Sequence, residues 1–214
     1  MVVTKQRKPR VGADAQSRAD KFKRNIFQQL LLDAEANGMK PTKNSIGWFR
    51  KFIRENVRRA SVERNLGADR YKNRIFPGKM YHFKYDAKHK DTLPFWDAFP
   101  LIFPFSDVGD RFYGINFHLM PLQIRAIVLD NLHDLTNTAG ITEKTKLKLS
   151  WDYLKSISAS YWIRPCVRCY LKSHVRSRFI EVKATEWQIA LFLPTQKIQK
   201  ANQTEVYNAY REKL

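Results

Sequence analysis

An α+β fold is predicted for this chain of 214 residues: a small SH3-like β-barrel or bent antiparallel sheet surrounded by helices, with a basic helical N-terminal extension. Three observations predict it. Apolar residues recur at helical spacing before residue 75. From Ile75 to Met120 the pattern changes to short aromatic runs punctuated by Pro and Gly, which reads as strands and tight turns. Helical periodicity returns after Pro121. The expected organisation is a basic flexible arm over 1–20, a basic helical extension over 21–74, an α+β core over 75–200 and a C-terminal helix over 201–214.

The elements follow in order. Lys5, Arg7, Lys8 and Arg10 accompany Pro9 and Gly12 with little to bury, so the arm orders only on a partner. From about Ala15 to Ala36, Phe22, Ile26, Leu30 and Ala34 share a helical stripe, which Asn37-Gly38 stops and Pro41 forbids to continue. A second helix starts near Asn44 or Ser45, with Ile46, Phe49, Ile53, Val57 and Ala60 on its apolar side. Lys79–Tyr85 reads as a strand, residues 93–105 pack aromatics among Pro94, Pro100 and Pro104, and RFYGINFHL returns after an SDVGD hairpin loop. Prolines at that density suit edge strands and bends rather than a central ladder.

Pro121 opens a helix to about Leu135, its expected buried side holding Leu122, Ile124, Ile127, Val128, Leu129 and Leu132. Helices are expected around 146–158 and 165–174, a strand over 178–183, a short helix from Thr185 and a last polar helix from Asn202 to Glu212. The composition supports a folded chain, with 43% hydrophobic and 13% aromatic residues. No run of about 18 apolar residues offers a membrane span, and no apolar stretch follows the basic N-terminus to make a signal peptide. Two cysteines exclude a disulfide scaffold and suit a reducing compartment.

Charge is the strongest functional signal. The formal net charge is +19, with 39 Lys and Arg against 20 Asp and Glu. Residues 1–74 carry 19 cations and 7 anions, residues 75–135 carry 6 and 7, and residues 136–214 carry 14 and 6. A neutral aromatic segment between two basic flanks is not uniform solubilising charge; it implies a polyanionic partner, nucleic acid first. In the second helix Arg50, Lys51, Arg54, Arg58 and Arg59 face one acid, Glu55, and can follow a phosphate backbone. In residues 161–183, Arg164, Arg168 and Lys172 repeat every four residues and would line one helix face. Arg176 and Arg178 follow them, with Tyr161, Trp162 and Tyr170 interleaved. Those aromatics could stack on unpaired bases or serve as core.

Catalytic signatures are missing from the sequence. It contains no G-x-S-x-G, no phosphate-cradling glycine loop and no strand with a partnered D…E-x-K arrangement. Cys166 and Cys169 form a lone C-x-x-C followed by His174. A structural zinc site needs four ligands, and His82, His89, His118 and His133 carry no zinc-like spacing. No metal, cofactor or catalytic residue is expected.

A succession of segments carries a resemblance: Pro77-Gly78-Lys79-Met80-Tyr81, Thr92-Leu93-Pro94-Phe95-Trp96-Asp97, Gly114-Ile115-Asn116, Lys172–Phe179 and Ala190–Thr195. Over about residues 75–200 it resembles a family of virion proteins in T-even-like contractile-tailed phages, the DNA end protector or head–neck completion family. The resemblance implies a non-enzymatic virion protein that binds the terminus of packaged double-stranded DNA and shields it from exonucleases. It implies location in the virion, with the host cytoplasm as the place of assembly. Other virion proteins of portal, neck or baseplate would be neighbours; no membrane is implied and a homo-oligomer is left open. The alternatives are a structural neck or baseplate protein docking its basic surface on acidic subunits and, more remotely, a metal-dependent nuclease.

Overall fold

A computed structural model of the chain describes residues 35–39, 51, 70–137, 139–190, 193 and 195–214. The arm with Lys5, Arg7, Lys8 and Arg10, and Arg50, Arg54, Arg58 and Arg59 of the second predicted helix, lie outside the described residues. Lys51 is exposed on a helical residue. The expected stop at Asn37-Gly38 is present: Gly38 takes a φ of 63° and its N–H donates to Glu35 O at 3.0 Å.

Eight strands and four helices make up the described part of the fold. The strands are β1 (Tyr71–Lys72), β2 (Met80–His82), β3 (Trp96–Asp97), β4 (Leu101–Val108), β5 (Arg111–Asn116), β6 (Val167–Leu171), β7 (Phe179–Val182) and β8 (Ile198–Gln199). The helices are α1 (Leu122–Asn137), α2 (Glu143–Ile157), α3 (Trp187–Ala190) and α4 (Gln203–Arg211). Six strands form one antiparallel sheet in the order β1-β7-β2-β4-β5-β6, and β3 pairs with β8. This is the predicted α+β class.

Strand alternation separates two cores. Met80, Leu101, Phe103, Ile115, Ile180 and Val182 point to the larger one, which the helices cover. Tyr81, Ile102, Phe112, Tyr170 and Phe179 point the other way, where Phe83 meets Phe112, Tyr170 and Phe179 edge to face at 5.2–5.7 Å. Beyond β6 the chain turns back onto the extension of β2. Tyr85 bridges Val175, Asp86 N donates to His174 O at 3.0 Å, and Arg176 N donates to Lys84 O at 2.8 Å. The strand order runs open from β1 to β6, and these contacts bring the chain beyond β6 back onto the β2 extension around the smaller aromatic cluster.

Three expectations are corrected. Residues 165–174 are not a helix. A 3₁₀ turn over Arg164–Cys166 leads into β6, which pairs with β5 from Val167↔Ile115 to Leu171↔Arg111. A spacing of four fits the helical period and is also even, so it satisfies a strand's period of two; Val167 and Tyr170 favoured the strand. Pro104 sits in a central strand, beside a bulge between Pro104 and Ser106. Its carbonyl accepts from Gly78 N at 3.1 Å, on the side where the β2 ladder has ended. A strand residue's N–H and C=O point the same way, so the missing donor faces no ladder partner. Ile127 is 48% exposed, and Ala126 and Arg125 are buried in α1 instead.

Two glycines meet stringent demands. Gly109, φ 56°, is the first of two turn residues between β4 and β5, where a II′ hairpin turn requires positive φ. Gly78 has φ 87°, and a Cβ there would lie 2.8 Å from Leu147 O, so it lets the β2 entry approach α2. The C-terminal helix has a full capping box: Asn202 Oδ1 accepts from Glu205 N while Glu205 accepts from Asn202 N, both at 3.0 Å. Val206 and Tyr207 bury its inner face in the larger core.

Candidate nucleic-acid interface

At the β1–β7 end of the sheet, the segment after β1 and the turn between β6 and β7 enclose a groove of about 830 Å³. Ile75, Phe112, Val175 and Phe179 supply its apolar lining, and Arg74, Lys172, Arg176 and Arg178 its cations. The lone carboxylate in the lining, Asp107, is held 2.6 Å from Lys172 Nζ, which also donates to Gly109 O at 2.9 Å. Arg176 donates to Ser173 O at 3.1 Å and stands 3.8 Å from Asp86. Arg178 lies over the Tyr71 ring at 4.7 Å. These side chains remain largely in solvent, and the groove carries more cation than anion. Concave surfaces of one sign focus the field on an approaching polyanion.

Three predicted site residues therefore converge: Lys172, Arg176 and Arg178. Arg74 joins them although the sequence reading assigned it to the helical extension; the strand signal in Tyr71-Lys72 was too short to detect. Arg164 and Arg168 do not join. Arg164 is exposed on the 3₁₀ turn before β6. Arg168 stacks on the Tyr210 ring at 3.8 Å and donates to Val167 O at 2.6 Å, and its burial lowers its pKa from the ordinary guanidinium value.

The interleaved aromatics divide. Tyr170 is buried, but Tyr161 and Trp162 are 52% and 53% exposed, with Arg211 about 6.0 and 5.9 Å from their ring centres. Phe76 and Trp151 are exposed beside Lys79 and Lys155 in the same way, at 5.9 and 5.8 Å. Exposed rings paired with cations are what single strands and unstacked bases bind.

The cysteines do not share a face: Cys166 is buried, its thiol pushed up to about 12 by burial, and Cys169 is exposed on β6. Among the described residues, no group of three or more His, Cys, Asp or Glu could hold a metal ion. None of the described helices is long and apolar enough to cross a membrane.

A buried polar chain lies behind the β4–β5 hairpin. Asp97 Oδ2 accepts from Asn116 Nδ2 at 3.1 Å and lies 2.8 Å from His118 Nδ1, and His118 Nε2 lies 3.1 Å from Thr195 Oγ1. The order matches a general-base relay, yet Thr195 is fully buried and presents no hydroxyl to a substrate. The chain ties β3, β5 and the segment before β8 together. Although burial opposes it, the carboxyl of Asp97 is held below its usual range by His118 and its hydrogen bonds.

His82 is fully buried, stacked on Phe99 at 5.0 Å and 5.6 Å from the His118 ring. Burial, with the His118 charge next, lowers its pKa from 6.5 to about 3. The unfolded chain takes up a proton that folded His82 refuses. This part of the stability is therefore complete above about pH 6.5 and lost progressively toward pH 3, by about 2 kcal/mol at pH 5. Urea unfolding from pH 7 to 5 checks it: His82→Leu should flatten the decline, and an unchanged slope would locate the titrating group elsewhere.

A family model described as Phage T4 terminal DNA protecting protein matches residues 4–212. The chain belongs to this family. The match extends well beyond the 75–200 segment that carried the resemblance and takes in the N-terminal third. No curated protein and no solved structure matches the chain. Membership makes the chain a phage protein of a DNA-protecting family, the setting in which the basic groove is to be understood.

Proposed function

We propose that this member of the DNA-protecting family binds the end of double-stranded DNA without catalysis and blocks exonuclease access to it. The observation that carries the reading is the groove, where Arg74, Lys172, Arg176 and Arg178 converge around a single, already paired carboxylate. Phosphates take up these cations without regard to sequence, as a protein acting on any packaged terminus requires. Arg50, Lys51, Arg54, Arg58, Arg59 and the arm's Lys5, Arg7, Lys8 and Arg10 extend the phosphate contacts, and Arg164 adds one beside Tyr161. The exposed Tyr161–Trp162 pair, with Arg211 beside it, adds ring surface along the same phosphate track. The reading is of a virion protein at the head or neck, beside the packaged terminus, with portal or neck subunits as neighbours.

The test compares binding of the purified chain to linear duplex and to the same DNA as a closed circle, between about 50 and about 200 mM salt, followed by an exonuclease challenge. Tighter binding to the linear form with protected ends is expected. Equal binding to both forms with ends degraded would overturn end recognition.

A further inference from the structure

A second cavity, of about 630 Å³, lies along the outer edge of β6 and shares no lining residue with the basic groove. Tyr85, Phe95, Trp96 and Tyr210 contribute aromatic walls to it. These walls are fixed: Phe95 packs edge to face on Tyr210 at 5.4 Å, and Lys200 Nζ donates to the carbonyls of Lys90, Asp91 and Leu93 at 2.8–3.1 Å. A preformed cavity of this size with aromatic lining suits a small planar ligand.

Its polar groups specify the ligand further. Asp97, the carboxylate in the lining, is already committed: Oδ1 accepts from Phe99 N at 3.1 Å, and Oδ2 faces Asn116 and His118. Arg168 lines the cavity too, and its buried Nη2 has no hydrogen-bond partner. A half-buried guanidinium without a carboxylate partner calls for an anion; Lys88 adds positive charge to the same lining, whereas Arg111 is held 2.9 Å from Asp110 Oδ1. The edge strand completes the set. Leu171 N donates outward to Tyr85 Oη at 3.3 Å, whereas Lys172 N donates inward to Asp110 O at 2.8 Å. By alternation, the N–H and C=O of exposed Cys169 face the open side, a donor and an acceptor available to a ligand.

We propose that this cavity takes the terminal nucleotide of the bound DNA, its base against the aromatic walls and Cys169 backbone and its phosphate on Arg168. The proposal rests on the end-binding reading and deepens it: a nucleotide unpaired from the last base pair is available only at an end, and its extrusion costs least there. The shared chemistry is a nucleoside monophosphate, so a free mononucleotide is the other source to distinguish.

The experiment uses the full chain and three probes: a hairpin duplex with one open 5′-phosphorylated end, a dumbbell of the same sequence closed at both ends, and free thymidine 5′-monophosphate. Wild type should bind the open hairpin about tenfold or more tighter than the dumbbell, as expected for one stacked base. Arg168→Gln should bring the two within about twofold while keeping dumbbell binding. If Arg168→Gln retains the full preference, the cavity is not the terminal site, though end binding survives. Should wild type bind both DNAs equally, the end-binding reading falls and the proposal with it. If only the free mononucleotide depends on Arg168, the cavity serves a free nucleotide and the proposal is overturned. Photo-cross-linking of wild type to a terminal 5-iododeoxyuridine keeps the test decisive if the variant does not fold. Adducts on the peptides of Trp96 or Tyr210 support the proposal, and adducts confined to the groove or to Tyr161–Trp162 refute it.

Discussion

Reversing Arg74, Arg176 and Arg178 to Glu lowers affinity for duplex DNA at least about a hundredfold at low salt and reduces the salt slope by about three. Each of these side chains is on the surface, and none is buried in the core. The variant should therefore keep the wild-type circular dichroism spectrum and thermal transition. For wild type, six or more phosphate contacts predict a loss of about a thousandfold in affinity between about 50 and about 200 mM salt. Fluorescence anisotropy across that range measures both quantities at once. A triple variant with unchanged slope would move the phosphate track off the groove and onto the N-terminal cations. The corresponding reversal of Arg54 and Arg58, which lie outside the described residues, tests those cations directly.

Glu186→Ala should destabilise the fold by about 3–5 kcal/mol, lowering the melting temperature by roughly 10 °C. Glu186 forms a bidentate pair with Arg70, one arm at 2.7 Å, and both side chains are almost fully buried. The same carboxylate accepts from Lys183 N at 3.1 Å at the start of the turn leading into α3. Truncating it removes the Glu186 carboxylate from the buried Arg70 guanidinium and the acceptor from Lys183 N. A pair of this kind is costly to break and much less costly to replace outright. Accordingly the double variant Arg70→Met/Glu186→Leu should recover most of the loss. Urea unfolding of the two single variants and the double variant closes the cycle, and a Glu186→Ala cost below about 1 kcal/mol would show that the pair is not buried in solution.

The pair also shows why the N-terminal boundary of the folded core was hard to read. Arg70, Tyr71 and Lys72 end a strongly basic stretch, and two residues are too few to display a strand's alternation. They belong to the sheet because β7 pairs with them, Tyr71 opposite Ile180 and Lys72 opposite Phe179, and because Glu186 lies 116 residues away to receive Arg70. Partners at that separation leave no local pattern. Arg74 reached the groove by the same route.

Local chemistry was legible where a segment's own residues decide its conformation. The α+β class, the 178–183 strand, the helix after Pro121, the Asn202 cap and the Gly38 stop all follow from periodicity, capping oxygens and the φ freedom of glycine. The excess of cation in the two flanks was equally visible, because charge needs no partner to be counted. Tertiary structure alone decided the rest. It chose strand over helix for Val167–Leu171, since a four-residue repeat satisfies both periods and only pairing with β5 separates them. It admitted Pro104 to a central strand by ending β2 beside it. It also sorted the cations, sending Lys172, Arg176 and Arg178 to one groove and Arg168 to the Tyr210 ring, because the direction of a side chain is set by the sheet that holds its backbone.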